Sequence, residues 1–236
     1  MPTNANDVKM QTLQSVLEIM VEHVGILIDM PTAGFADIHM SSASRILVLY
    51  AHATPHRSRV NRRLAEATRS LPNVQVRDLY ELYPDFHIDV AQEQALLAEA
   101  DLIVFQHPIQ WYGMPALLKE WVDVVFENGW AYGPGENALR GKHFWLSVTT
   151  GGGEEAYRET GYHGRPFSDF LPPFEQTALL CGMTWLPPLI FHGAQRANKA
   201  EIAAHVSYFT NRLASYPHWP EIAAPSTDLP QAAGKP

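Results

Sequence analysis

The chain has 236 residues, enough for one or two domains, and its 46% hydrophobic and 18% charged content excludes global disorder. Its 17 Lys and Arg stand against 25 Asp and Glu, a formal charge of −8, which disfavours a basic nucleic-acid binder but leaves room for a local basic pocket. The single cysteine, Cys181, excludes a disulfide framework within the chain and fits a reducing compartment, so a cytoplasmic protein is expected.

Residues 1–44 read as an N-terminal extension. Leu13, Val16, Leu17, Met20, Val21, Val24 and Ile28 recur at near-helical spacing and predict a short amphipathic helix, broken at Pro31 to Gly34. No apolar run approaches the roughly 20 residues that span a bilayer. The best candidate, Val16 to Met30, carries Glu18, Glu22, His23 and Asp29 and lacks the flanks of a secretory signal. Met40 stands just ahead of a serine-rich cap and the first strand, as a start codon would. The extension is therefore expected to be peripheral or absent from the native protein.

The core is expected from about Arg45 to Tyr216. Ile46 to Tyr50 is a continuous apolar run, the mark of a strand buried on both faces. Arg57 to Ser70 reads as a helix, and Val74 to Tyr80 alternates as a second strand. Asp89 to Glu99 is a helix with Asp89 as cap and Gln92 three residues on, a capping box in outline. Leu102 to Gln106 is the third strand, and Pro115 to Glu127 a helix opened by proline. His143 to Thr149 is the fourth strand, followed by a helix over Ser168 to Cys181. Trp185 to His192 is a fifth strand, interrupted by Pro187 and Pro188. Asn198 to Leu213 is a last helix, and 217–236 a loose tail. This alternation predicts an α/β, flavodoxin-like three-layer sandwich with a five-stranded parallel sheet in the order 2-1-3-4-5.

Ligands of such sheets gather beyond the carboxyl ends of the strands. The loop after strand one, His52 to Asn61, precedes a helix start whose unpaired N–H groups suit a phosphate. Ser58 is a candidate cap, Arg57, Arg59, Arg62 and Arg63 lie close by, and residues 52–63 contain no acid. The same residues also fit an ordinary capped helix with solvated arginines. The loop after strand three, Pro108-Ile109-Gln110-Trp111-Tyr112-Gly113-Met114-Pro115, offers a rigid, partly apolar wall suited to a flat ring such as a flavin. Its aromatics fit core packing equally well.

After strand four, Thr149-Thr150-Gly151-Gly152-Gly153 lets backbone approach a ligand closely. Gly151, Gly153 and Ala156 also match a dinucleotide fingerprint, but Gly161, Gly164 and Pro166 leave no long helix to complete it. Tyr157, Tyr162 and His163 follow. A phenol and an imidazole there could donate to charge developing on an oxygen, or be polar residues of a lid. No histidine, cysteine or acid group has metal-ligand spacing, and Cys181 reads as an inert buried thiol. The lack of a G-x-S-x-G elbow disfavours an α/β-hydrolase.

From about Arg45 to Leu213 the chain resembles the flavodoxin-like NAD(P)H:quinone reductases, and most of all the bacterial ancillary subunits of glutathione-regulated potassium-efflux systems. The resemblance rests on blocks in order: Leu49 to His52; Leu79-Tyr80 with Tyr83 to Phe86; Gln106 to Tyr112; Pro115 to Trp121; Thr149 to Gly152; and Trp185 to Pro188. It implies FMN, or FAD as the alternative, with NAD(P)H as hydride donor and a quinone or similar small electrophile as acceptor, in two-electron ping-pong transfer.

In that reading His52, Ser58, Arg59, Val60 and Asn61 hold the flavin phosphate and its surroundings. Pro108, Ile109, Gln110, Trp111 and Tyr112 line the ring, and Thr149, Thr150, Gly151 and Gly152 bind its polar edge. Tyr157 and His163 stand where the animal quinone reductases carry a catalytic pair. The resemblance also implies a homodimer, and a membrane potassium-efflux transporter as partner at the inner face of the membrane. Two rivals follow: a regulatory subunit of that transporter, and a one-electron flavodoxin carrier. The family usually has proline where Ala53 stands, with Pro55 close by here. The potassium-efflux subunits often lack the Tyr and His pair, which favours quinone reduction.

Overall fold

The computed structural model describes residues 44–135 and 137–223. The helix expected in the N-terminal extension lies outside them. Strands and helices largely alternate. Strand β1 (Ile46–Tyr50) leads into a single 3-10 turn (Pro55–Arg57) and helix α1 (Asn61–Thr68). Strand β2 (Val74–Asp78), the short helix α2 (Leu79–Leu82) and helix α3 (Val90–Glu99) follow. Next come β3 (Leu102–Pro108), α4 (Ala116–Val125) and β4 (His143–Thr149), then α5 (Pro172–Leu180). The last elements are β5 (Thr184–Trp185), β6 (Leu189–Phe191), α6 (Lys199–Ser215) and α7 (Pro220–Ala223).

The strands lie in the order β2-β1-β3-β4-β5, all parallel, with β6 also paired to β4. The expected order is met. The expected fifth strand is two short ones, because Pro187 and Pro188 have no N–H for the ladder between them. Each sheet face buries alternate residues against helices. On one side Leu47, Leu49, Ile103, Phe105, Phe144 and Leu146 form a core with residues of α4 and α5, such as Trp121 and Phe174. On the other, Ile46, Val48, Val104 and Trp145 pack against Leu64 of α1 and Phe209 and Leu213 of α6. At roughly 25 cal/mol per Å² of apolar area, these two interlayers supply the main driving force for folding.

Local chemistry sets the ends of the elements. Asp78 accepts from the N–H of Glu81, so Leu79 and Tyr80, expected in the second strand, begin a helical turn instead. Asp89 caps α3 through the N–H of Gln92, but the return half of a capping box is missing. The Gln92 side chain accepts from Arg77 at 2.8 Å. The full capping box is at α6, where Asn198 and Glu201 satisfy each other's backbone N–H groups. Pro172 and Pro173 occupy the first turn of α5, where their missing N–H groups cost nothing. Beyond Tyr216 the chain stays packed as far as α7. Trp219 is buried, its indole N–H donates to the Arg212 carbonyl at 2.7 Å, and the Arg212 guanidinium lies 3.8 Å from its ring centroid. Among the described residues no helix is long and apolar enough to cross a membrane.

Candidate functional site

A cavity of about 410 Å³ opens at the carboxyl ends of the adjacent strands β1, β3 and β4. The first loop contributes His52, Thr54, Arg57, Ser58, Arg59, Val60 and Asn61 to its lining. Pro108, Ile109 and Gln110 form a second wall, and Thr149, Thr150 and Gly151 a third. Ala194 and Gln195, from the turn after β6, complete it. It sits at the switch point of the sheet, where the chain order reverses about β1.

The first wall presents unpaired hydrogen-bond donors. The buried Ser58 hydroxyl accepts from the N–H of Arg62 at 3.0 Å and so caps α1 from four residues upstream. The N–H groups of Arg59, Val60 and Asn61 have no acceptor among the described residues, and all three residues line the cavity. They carry the positive end of the α1 dipole. His52 accepts from the Thr54 N–H through Nδ1 at 3.2 Å, and burial pushes its pKa below the ordinary imidazole value. It is therefore neutral at pH 7, with its proton on Nε2.

Arg59 does something other than what the sequence suggests. Its guanidinium donates to the carbonyls of Gln195 and Ala197, the latter at 2.8 Å, rather than standing free as an anion ligand. It ties the turn after β6 to the start of α1. Of the loop arginines that line the cavity, Arg57 is exposed and makes no ion pair among the described residues.

In the second wall Gln110 and Gly113 exchange N–H···O bonds, both 3.0 Å, across a two-residue turn. Trp111 and Tyr112 occupy its centre with φ of 47° and 65°. That backbone sends the Trp111 side chain outward. Trp111, expected to line a bound ring, stands 95% exposed and does not reach the cavity. Tyr112 stacks on Phe170 with centroids 4.9 Å apart, and its hydroxyl lies 3.3 Å from His163 Nδ1. Leaving two bulky residues at positive φ is a local cost characteristic of functional turns.

In the third wall the Thr150 hydroxyl donates to the Gly152 carbonyl at 2.7 Å, so His192 Nδ1, 3.0 Å away, must be the donor to Thr150. Gly152 does not line the cavity but backs onto the Tyr157 and His163 pair. A Cβ there would lie 3.4 Å from His163 Nε2 and 3.5 Å from Tyr157 Cε2. The two rings stack at 4.3 Å and 23°. Burial raises the Tyr157 hydroxyl above its ordinary pKa. Gly161 closes the turn that folds His163 back: a Cβ there would fall 2.4 Å from the Glu155 carbonyl, which no side chain survives.

Of the residues expected to bind a cofactor, His52, Ser58, Arg59, Val60, Asn61, Pro108, Ile109, Gln110, Thr149, Thr150 and Gly151 meet at this cavity, while Trp111, Tyr112 and Gly152 lie beside it. Residues 44–213 match the family model of the flavodoxin-like fold. The chain belongs to that family. It is 44% identical to a chain of the thermophilic tryptophan halogenase from Streptomycin violaceusniger, over 71% of this chain and 97% of that one, with a TM-score of 0.68. It is 36% identical to general stress protein 14 in complex with FMN from Treponema denticola, over 72% and 97%, with a TM-score of 0.68. It is 28% identical to an NADPH-quinone reductase from P. pentosaceus, over 71% and 96%, with a TM-score of 0.65.

Four contributors to this flavodoxin-like site were not legible beforehand. Ala194, Gln195 and His192 belong to the turn after β6, and Thr54 to the first loop. Gly193, at φ 69°, is the one sequence signal that marks that turn. Among the described residues there is no group of three or more potential metal ligands.

Proposed function

We propose that this flavodoxin-like protein is a flavin-dependent NAD(P)H oxidoreductase that reduces a quinone or similar small electrophile, with FMN as its cofactor. One observation carries the reading: a single cavity joins free N–H groups at a helix start to a Thr-Thr-Gly edge. A flavin nucleotide has the matching parts, a phosphate at one end and a polar ring edge at the other. The FMN bound to general stress protein 14 and the activity named for the P. pentosaceus reductase agree with it. The chemistry that FMN supplies when bound is two-electron transfer between NAD(P)H and the acceptor.

The residues of this chain fit that group. The N–H groups of Arg59, Val60 and Asn61 and the Ser58 hydroxyl would receive the phosphate. Thr149, Thr150 and Gly151 would meet the polar ring edge, and Ile109 and Gln110 would form its wall. Tyr157 and His163, stacked behind Gly152, would donate hydrogen bonds to charge developing on an acceptor oxygen. The potassium-efflux reading has no observation of this structure behind it.

Purified protein supplied with FMN should oxidise NADH or NADPH in the presence of a simple quinone, with parallel-line kinetics in the two substrates. Quinone-independent and flavin-independent rates, equal to buffer controls, would end the proposal.

A further inference from the structure

On the side of the sheet facing α1, the side chains change character row by row. Ile46, Leu102 and His143 stand in the first row, and Val48, Val104 and Trp145 in the second. The third row is Tyr50, Gln106 and Ser147, which are 2%, 0% and 1% exposed. Packing alone gives no reason for three polar residues there, since a buried amide is costly unless it is hydrogen-bonded.

Gln106 spends its donors on a single residue. Its Nε2 donates to the Asn61 main-chain carbonyl at 2.9 Å and to Asn61 Oδ1 at 3.2 Å. Asn61 Nδ2 in turn donates to Thr149 Oγ1 at 2.8 Å. Asn61 opens α1 and Thr149 ends β4, and both line the cavity, whereas Gln106 does not. Gln106 Oε1 and Ser147 Oγ are left without partners. The link to Asn61 is kept although an acceptor goes bare, which an apolar residue would avoid.

We infer that Gln106 is a positioning residue for the phosphate end of the site. It fixes the first turn of α1, and with it the free N–H groups of Val60 and Asn61, against the Thr149–Gly151 edge. The inference rests on the flavin reading and adds that Gln106 serves the phosphate of the ligand and not its ring. It reaches the ligand only through Asn61.

Equilibrium titration of the full chain with FMN and with riboflavin, which lacks the phosphate, tests this. Gln106→Met should weaken FMN about tenfold while riboflavin affinity stays within about twofold. Gln106→Asn, which keeps an amide but stops one methylene short of Asn61, should shift the FMN-to-riboflavin ratio in the same direction. Ser147→Ala lies in the same buried row without a bond to Asn61 and should leave the ratio unchanged. A preserved ratio in Gln106→Met, or equal losses for both ligands, overturns the inference. Should Gln106→Met fail to fold, an unchanged ratio in Gln106→Asn overturns it instead. Wild-type protein that binds both ligands equally also overturns it. Wild-type protein that binds neither removes the flavin reading itself, a result separable from the others.

Discussion

The Arg59 side chain distinguishes two ways of building an anion site. As a ligand, it would act only when the anion is present. As the structure has it, it acts without one, by holding the carbonyls of Gln195 and Ala197. Arg59→Ala removes two charge-assisted bonds. The turn after β6 keeps its other anchors, Gly193 N–H to Gly152 O at 2.8 Å and Ala194 N–H to Thr150 O at 2.9 Å, but loses its tie to α1. Arg59 is partly solvated, so each bond is worth less than a buried charged one, and the pair together about 1–2 kcal/mol. For a domain of this size that is a fall in Tm of about 2–6 °C. The assay is thermal unfolding of the ligand-free protein, with Arg59→Lys as a second variant. A single ammonium cannot grip two carbonyls two residues apart, so lysine should restore little of the loss. An unchanged ligand-free Tm beside a collapse in FMN affinity would refute the tether and make Arg59 a direct ligand.

Other consequences follow from the same geometry. Tyr157→Phe combined with His163→Gln should slow quinone turnover about 100-fold with flavin still bound, and an unchanged rate would remove the pair from the reaction. His107 is fully buried, and burial pushes its pKa down to about 4. The unfolded chain takes up a proton there near pH 6.5 that the folded protein refuses. Stability contributed by neutral His107 is therefore complete above about pH 6.5 and lost as pH falls toward about 4, by about 3 kcal/mol over the window. Urea unfolding should show this fall, and His107→Gln should flatten it by one proton. A slope identical in the variant would contradict it. Glu93, fully buried, accepts from Arg77 Nε at 3.0 Å and from the Tyr83 hydroxyl at 2.6 Å. Glu93→Ala leaves the Arg77 charge, 11% exposed, without its partner and should cost about 3–5 kcal/mol in urea denaturation. A loss under about 1 kcal/mol would mean that solvent reaches Arg77.

Much of the fold was legible because its signals are local. The apolar run Ile46 to Tyr50 is buried throughout, and Asp89 caps the helix that it precedes. That the three loops would gather at one cavity was legible because each lies at the end of such a strand. What stayed hidden depends on tertiary direction. Nothing in the order Gln110-Trp111-Tyr112-Gly113 reveals that both central residues adopt positive φ, with Trp111 left exposed and Tyr112 stacked on Phe170. The targets of Arg59 lie 136 and 138 residues further on, in the turn after β6. The link from Gln106 to Asn61 spans 45 residues and appears only when β3 passes beneath α1. Trp219 lies in a segment whose proline- and alanine-rich composition suggests a loose tail, and it is the Arg212 carbonyl and guanidinium that hold it.

The central claim is that the three strand-end loops bind one flavin nucleotide. Hydrogen exchange of the full chain with and without saturating FMN measures this at each loop. The expected result is slowed exchange at Arg59, Val60 and Asn61, at Ile109 and Gln110, and at Thr150 and Gly151 together. Protection confined to one loop, or located elsewhere in the chain, would contradict the account.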